Sequence, residues 1–186
     1  MKILAVSGSP RHKNTDYMIK KVIESSGING EIIFLRDLKI FNCSGCGLCR
    51  KNFKCVIEDD MKEIYNKLIN ADIIILGSPT YFNNVSGLMK NFMDRCIPFY
   101  FFKKLKSKKI ILLSVGNFKE DLEFDKEGKC KWHNEERKSV LACIKTMKDF
   151  CEILGLNIIG RCYALHSNPK DEEDELIRLG KLIKKT

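Results

Sequence analysis

Four cysteines, Cys43, Cys46, Cys49 and Cys55, fall within residues 43–55 in a C-x2-C-x2-C-x5-C pattern. An iron–sulfur cluster needs four thiolates converging on a compact core, and ferredoxin-type runs supply three of them at this same two-residue spacing. Gly45 and Gly47 alternate with the cysteines, and glycine gives a loop the positive-φ conformations needed to wrap a cluster. Lys51 and Lys54 lie nearby, where cationic side chains favour thiolate over thiol. Zinc and plain reduced thiols are the alternatives. Zinc sites usually pair two separated cysteine hooks, and no second hook follows here. Disulfide pairing suits an exported chain better.

Two further stretches carry ligand chemistry. After a short apolar run at residues 3–6 comes SGSPRHKNT, residues 7–15, and then a helical pattern with Met18, Ile19, Val22 and Ile23 on one face. A strand, a loop rich in glycine and hydroxyls, and a helix N-terminus form a phosphate-binding layout, because free N–H groups and the helix dipole both favour an anion. Ser7, Ser9 and Thr15 add hydroxyls, Asn14 an amide and Arg11 a planar cationic fork. Neither a Walker A loop nor G-x-G-x-x-G is present. The other stretch is SPTYFNN, following the uniformly apolar run at residues 73–76. It places Tyr81 and Phe82 at the carboxyl end of a buried strand, where a planar ligand would lie. His12 is expected to be exposed.

The elements that position these groups are legible as five apolar runs alternating with five helical patterns. Strands are expected at residues 3–6, 31–35, 73–76, 109–115 and 158–165. Asp59 and Asp60 precede a helix with the apolar face Met61, Ile64, Tyr65, Leu68 and Ile69, and are expected to cap it rather than do acid–base chemistry. The helix after the aromatic loop carries Val85, Leu88, Met89, Phe92, Met93 and Cys96 and is expected to end at Pro98. Residues 134–154 are helical, with Gly155 as the stop, and Asn168 with Pro169 should open the last helix. Cys96, Cys143, Cys151 and Cys162 fall on apolar faces and read as buried hydrophobes. The mixed-charge segment 118–133, with Cys130 and Trp132, is long enough for a lid or an interface arm.

Alternation of this kind gives an α/β doubly wound parallel sheet. The order 2-1-3-4-5 makes neighbours of the phosphate-type loop and the aromatic loop, with the ligand at the switch between strands 1 and 3. The cysteine loop follows strand 2 and so lies at the same carboxyl edge.

At 186 residues, 44% hydrophobic and 31% charged, the chain reads as one domain over residues 1–186. No apolar run reaches the length of a membrane span. The apolar run near the start is too short for a signal peptide, and nine cysteines without an export signal point to a reducing cytoplasm. The net charge of +9 favours acidic partners. Its one dense run, Lys103, Lys104, Lys106, Lys108 and Lys109, reads as a solvated loop, with docking of an acidic electron carrier or a phosphorylated nucleotide as the functional alternative. No nucleic-acid motif accompanies it.

Taken together, GSPRHKNT, the four-cysteine run followed by DDM, and SPTYFNNVSGLMKNFMDR resemble the iron–sulfur flavoproteins, a flavodoxin-like branch of the NAD(P)H-dependent FMN reductase group. The resemblance covers nearly the whole chain. It implies that Ser7, Ser9, Arg11, Asn14 and Thr15 hold the phosphate of FMN. Pro79, Thr80, Tyr81, Phe82 and Asn83 would flank the isoalloxazine, with Gly116 and Asn117 on a third loop. Asn83 stands where many relatives have glycine, and asparagine tolerates positive φ better than most residues. The glycine pair common in the third loop is absent from residues 114–117.

The resemblance further implies that the four motif cysteines carry a 4Fe–4S cluster. The expected role is a cytoplasmic oxidoreductase passing electrons from ferredoxin, another carrier or NAD(P)H to a small oxidant or a quinone. The two rivals are an NAD(P)H-dependent FMN or quinone reductase without a cluster and a non-enzymatic, flavodoxin-like carrier. Assembly as a homodimer or homotetramer is also implied, with the 118–133 segment reaching over a neighbour.

Overall fold

The computed structural model describes residues 1–117, 126–127 and 133–185. Most of the expected lid or arm at 118–133, including Phe118, Phe124, Cys130 and Trp132, lies outside the described residues. Among the described residues no helix is long and apolar enough to cross a membrane.

The strands are β1 (Ile3–Ser7), β2 (Gly30–Phe34), β3 (Ile73–Tyr81), β4 (Asn84–Val85), β5 (Lys109–Val115) and β6 (Asn157–Ala164). The helices are α1 (Asn14–Ser26), α2 (Met61–Asn70), α3 (Gly87–Arg95), α4 (Ile97–Phe102), α5 (His133–Leu154) and α6 (Glu173–Lys184). The parallel strands stand in the order β2-β1-β3-β5-β6, and β4 pairs with β3. This is the expected 2-1-3-4-5 order with one short strand added. β1 lies between β2 and β3, so that Ser7 sits opposite both Phe34 and Gly77.

Burial on both faces explains why the strands read as continuous apolar runs. Side chains alternate across a strand. Leu4, Val6, Ile74, Leu76, Ile110 and Leu112 therefore pack on one face against α2, α3 and α5. Ile3, Ala5, Ile73, Ile75, Ile111 and Leu113 pack on the other against α1 and α6. Cys96, Cys143, Cys151 and Cys162 are buried as expected. Burial pushes Cys143 up to about 11 and Cys151 and Cys162 to about 12, so all three stay as inert thiols.

Four local expectations are corrected. β3 does not stop at Leu76 but runs on through Ser78, Pro79, Thr80 and Tyr81, because β4 folds back on its end through Thr80–Val85 and Tyr81–Asn84 pairing. Val85 is therefore a hairpin residue and not part of α3. Pro98 opens α4 rather than closing α3: it occupies the first turn, where its missing N–H leaves no intrahelical bond unmade. Asn168 makes no side-chain cap, and Pro169–Glu172 forms a 3-10 turn before α6.

Candidate functional site

The loop after β1 is held from beneath. Ser7 is fully buried, and its hydroxyl donates to Asp16 Oδ1 at 2.6 Å. Asp16 in turn pairs with Arg36 at 2.8 Å, both side chains nearly buried. Arg36 Nη1 also donates to the carbonyls of Ser9 and Arg11, at 3.0 and 3.3 Å. Ser7 is thus a support for the loop, and Arg36, which the sequence pattern did not single out, is its buried brace. His12 is exposed, and its ring contacts Arg36. The loop is also pinned to β3 and to the N-cap of α3, since Gly8 N donates to Gly77 O at 2.8 Å and Ser86 Oγ to Gly8 O at 2.6 Å.

Above this brace Ser9, Arg11, Asn14 and Thr15 face Pro79, Gly116 and Asn117 across a pocket of about 260 Å3. Three loops are cross-linked there. Arg11 Nη2 donates to Asn117 Oδ1 at 3.0 Å, Ser167 Oγ donates to the same oxygen at 3.2 Å, and Asn14 Nδ2 donates to Ser167 O at 2.7 Å. Lys13 and Ser167 line the pocket as well, two residues that no motif marked. The first turn of α1 has no side-chain cap, which leaves its N–H groups to an anion.

Asn117 also borders a second pocket of about 480 Å3, lined by Thr80, Tyr81, Phe82, Asn83, Glu136 and Ser139 among others. Phe82 and Asn83 are the two turn residues of the β3–β4 hairpin, at φ 46° and 59°. Positive φ at both positions matches the twist of the flanking strands. Asn83 thus adopts the conformation for which glycine would be the easy choice. The pocket's floor is built by α5, whose Ser139 meets Thr80 Oγ1 at 2.8 Å. Glu136 was missed because a lone glutamate near a helix start reads as a surface residue. Its carboxylate is buried and accepts the His166 N–H at 3.0 Å on both oxygens.

Gly116 is required by this packing. A Cβ there would lie 2.1 Å from Glu136 Oε1 and 2.7 Å from its Cδ. Gly116→Ala is expected to push the carboxylate off the His166 N–H and cost about 1–3 kcal/mol as overpacking. Urea denaturation with an unchanged midpoint would show that the carboxylate moves freely.

The cysteine loop follows β2 and a 3-10 turn at Leu35–Asp37. Cys43 and Cys46 are exposed, Cys49 and Cys55 half-buried, and all four are free thiols. Gly45 and Gly47 take φ 69° and 71°, as the alternation predicts. Burial raises the Cys49 thiol first, with Cys55, Cys43 and Cys46 adding to it. The Leu48 N–H and then the Ser44 hydroxyl lower Cys46. Among the described residues no three His, Cys, Asp or Glu side chains stand close enough to hold a metal ion as they are. The donor set itself fits a thiolate-bound centre: four thiols on a loop hinged by two left-handed glycines.

Both ends of this loop are fastened to the helices. Asp59 Oδ1 accepts from Met61 N at 3.1 Å and so caps α2 as expected, while its Oδ2 accepts from Phe41 N at 2.9 Å. Asp60 does not cap: its carboxylate accepts from Lys39 N at 2.6 Å. Asn91 and Arg95 of α3 donate to the carbonyls of Ile40 and Phe41.

Residues 1–121 match the sequence profile of the NADPH-dependent FMN reductases. The chain belongs to this family. Among curated proteins it is similar to an iron–sulfur flavoprotein of Archaeoglobus fulgidus, 42% identical over 98 residues, which are 51% of this chain and 48% of that protein. It is also similar to an iron–sulfur flavoprotein of Methanocaldococcus jannaschii, 40% identical over 120 residues, 62% of each chain. The chain thus spans about half to three fifths of the length of the curated relatives it matches. A flavone reductase structure covers all of this chain and 62% of its own at a TM-score of 0.72 and 19% identity, which establishes the flavodoxin-like α/β fold. Within the FMN reductase family frame, the match to residue 121 takes in the loops after β1, β2, β3 and β5, and therefore both pockets' strand-side walls and the cysteine run.

Proposed function

We propose that the chain is a cytoplasmic flavin-dependent oxidoreductase that holds FMN at the β1–β3 switch and a 4Fe–4S cluster on Cys43, Cys46, Cys49 and Cys55. One observation carries the flavin site: two adjoining pockets, one cationic and hydroxyl-lined, the other aromatic and half apolar, share Asn117 as their common wall. An anionic head and a planar ring joined by a short chain suit such a pair. In this reading Ser9, Arg11, Asn14 and Thr15 bind the phosphate, with the α1 N-terminus behind them and Ser7 supporting the loop. Pro79, Thr80, Tyr81, Phe82, Asn83, Gly116 and Asn117 orient the ring and exclude water from its faces.

FMN gathers electrons as a pair and releases them singly, while an iron–sulfur cluster moves one at a time. The protein's share is placement: the cysteine loop follows β2 and the flavin loops follow β1, β3 and β5, so both sites lie at one edge of the sheet. The donor is ferredoxin, another carrier or NAD(P)H, and the acceptor a quinone or small oxidant. The chain acts as one domain, and we expect it to assemble as a homodimer or homotetramer, which light scattering at micromolar concentration checks. A second reading, an NAD(P)H-dependent FMN or quinone reductase without a cluster, draws on the match of residues 1–121 to the NADPH-dependent FMN reductases.

Anaerobic purification followed by an absorbance spectrum, iron and sulfide assays and chromatography of the acid-released flavin tests the proposal. FMN with iron and sulfide supports it. Released FAD defeats the flavin assignment, and FMN without iron leaves the second reading. Arg11→Ala is expected to weaken FMN by about 1.5–3 kcal/mol, the loss of one hydrogen bond to a charged group. Unchanged affinity in a flavin titration would count against that role.

A further inference from the structure

Arg95 is the largest fully buried side chain among the described residues, at the C-terminal end of α3. Its ion pair with Asp59 has 1% and 0% of the two side chains exposed. Nη1 donates to Asp59 Oδ2 at 2.5 Å and Nη2 to Asp59 Oδ1 at 3.1 Å, so the carboxylate takes the end of the planar fork. The side edge of the fork is formed by Nη2 and Nε. On that edge Nη2 lies 3.5 Å from the Cys55 sulfur, and Nε is buried with no partner among the described residues. An unpaired buried N–H on a charged group is rare enough in native proteins to call for an explanation.

Resting on the iron–sulfur reading above, we propose that Arg95 is the positioning residue of the cysteine centre. Its side edge donates hydrogen bonds to sulfur at the Cys55 corner and thereby raises the reduction potential of the bound cluster. The chemistry is electrostatic. Reduction adds negative charge, thiolate and sulfide sulfurs carry much of it, and a cationic donor fixed against one of them favours the reduced state. Burial strengthens the effect, because the fork is screened from solvent. The other cations of the loop are different. Arg50, Lys51 and Lys54 are exposed, and Arg50 lies over the Phe101 ring at 5.4 Å. Asp59 orients the fork and so acts on the sulfur only through Arg95.

The experiment is an anaerobic redox titration of the FMN- and cluster-loaded protein, with absorbance and electron paramagnetic resonance read separately for flavin and cluster. Arg95→Lys keeps the charge and loses the planar fork, and Arg95→Gln loses both. We expect the cluster midpoint to fall by at least about 59 mV in Arg95→Lys, a tenfold change in the one-electron equilibrium, and further in Arg95→Gln. The flavin midpoints should stay put, and Arg50→Lys should leave both unchanged. A cluster of wild-type potential in Arg95→Lys overturns the proposal and leaves Arg95 a purely structural partner of Asp59. Wild-type protein without iron and sulfide overturns the iron–sulfur reading and this inference with it. Should the Arg95 variants not fold, wild-type protein labelled with 15N in its arginine guanidiniums carries the test. Pulsed resonance on the reduced cluster should show a 15N coupling that survives Arg50→Lys, and absence of that coupling overturns the proposal.

Discussion

Replacing any one of Cys43, Cys46, Cys49 or Cys55 by alanine is expected to strip most of the iron and sulfide from anaerobically purified protein and leave FMN at wild-type occupancy. The first half follows from ligand number, since a cubane cluster held by four thiolates loses a corner with each one. The second half follows from the separation of the two sites. None of the four cysteines lines either proposed flavin pocket. Those pockets are built by the β1 loop on its Arg36 brace, the β3–β4 hairpin, Asn117 and α5. The cysteine loop is fastened instead by Asp59, Asp60, Asn91 and Arg95.

The four variants should differ in one respect. Cys55→Ala also removes the sulfur facing the buried Arg95 fork, so it should lower the stability of the protein more than Cys43→Ala, whose side chain is exposed. Full retention of iron and sulfide in all four variants would sink the cluster assignment. Zinc in place of iron in the wild-type protein would turn the loop into a structural metal site.

What the sequence showed and what it hid divide along physical lines. The parallel strands were legible because strands buried on both faces must be apolar throughout, and the cysteine run because metal ligation demands close spacing. The continuation of β3 through Ser78-Pro79-Thr80-Tyr81 was not, because serine, proline and threonine are turn formers until a hairpin partner such as β4 pairs with their backbone. Arg36, Glu136 and Arg95 were missed for a shared reason. Each is a charged residue buried by a partner distant in sequence, Asp16, His166 and Asp59 respectively, and nothing local distinguishes it from a solvated side chain. Periodicity reports apolar faces. It is silent on a buried charge whose compensation comes from another element.

The buried pair beneath the cysteine loop supplies the largest expected change in stability. Asp59→Ala leaves the Arg95 guanidinium without its counter-ion and takes the acceptor from the Phe41 and Met61 N–H groups. Breaking such a pair by removing one partner costs about 3–5 kcal/mol, a large fraction of a domain's stability. Replacing both partners by apolar residues, as in Asp59→Leu with Arg95→Met, should recover much of that loss, because no charge is then buried alone. The same pair sets an acid limb. Burial by itself would raise the Asp59 carboxyl, but the Arg95 hydrogen bond, the two backbone N–H groups and the Arg95 charge outweigh it and hold Asp59 below its ordinary value of 3.8. With the folded value depressed, the unfolded chain takes up the proton first. This contribution is therefore complete above the ordinary carboxylate range and is lost as pH falls from there through the folded value. Urea midpoints measured from about pH 6 down to about pH 3 should fall more steeply for wild-type protein than for Asp59→Asn, which has no carboxyl to protonate. Parallel pH dependence in the two proteins would show that the acid limb comes from half-buried surface carboxylates such as Glu173 and Glu175 instead.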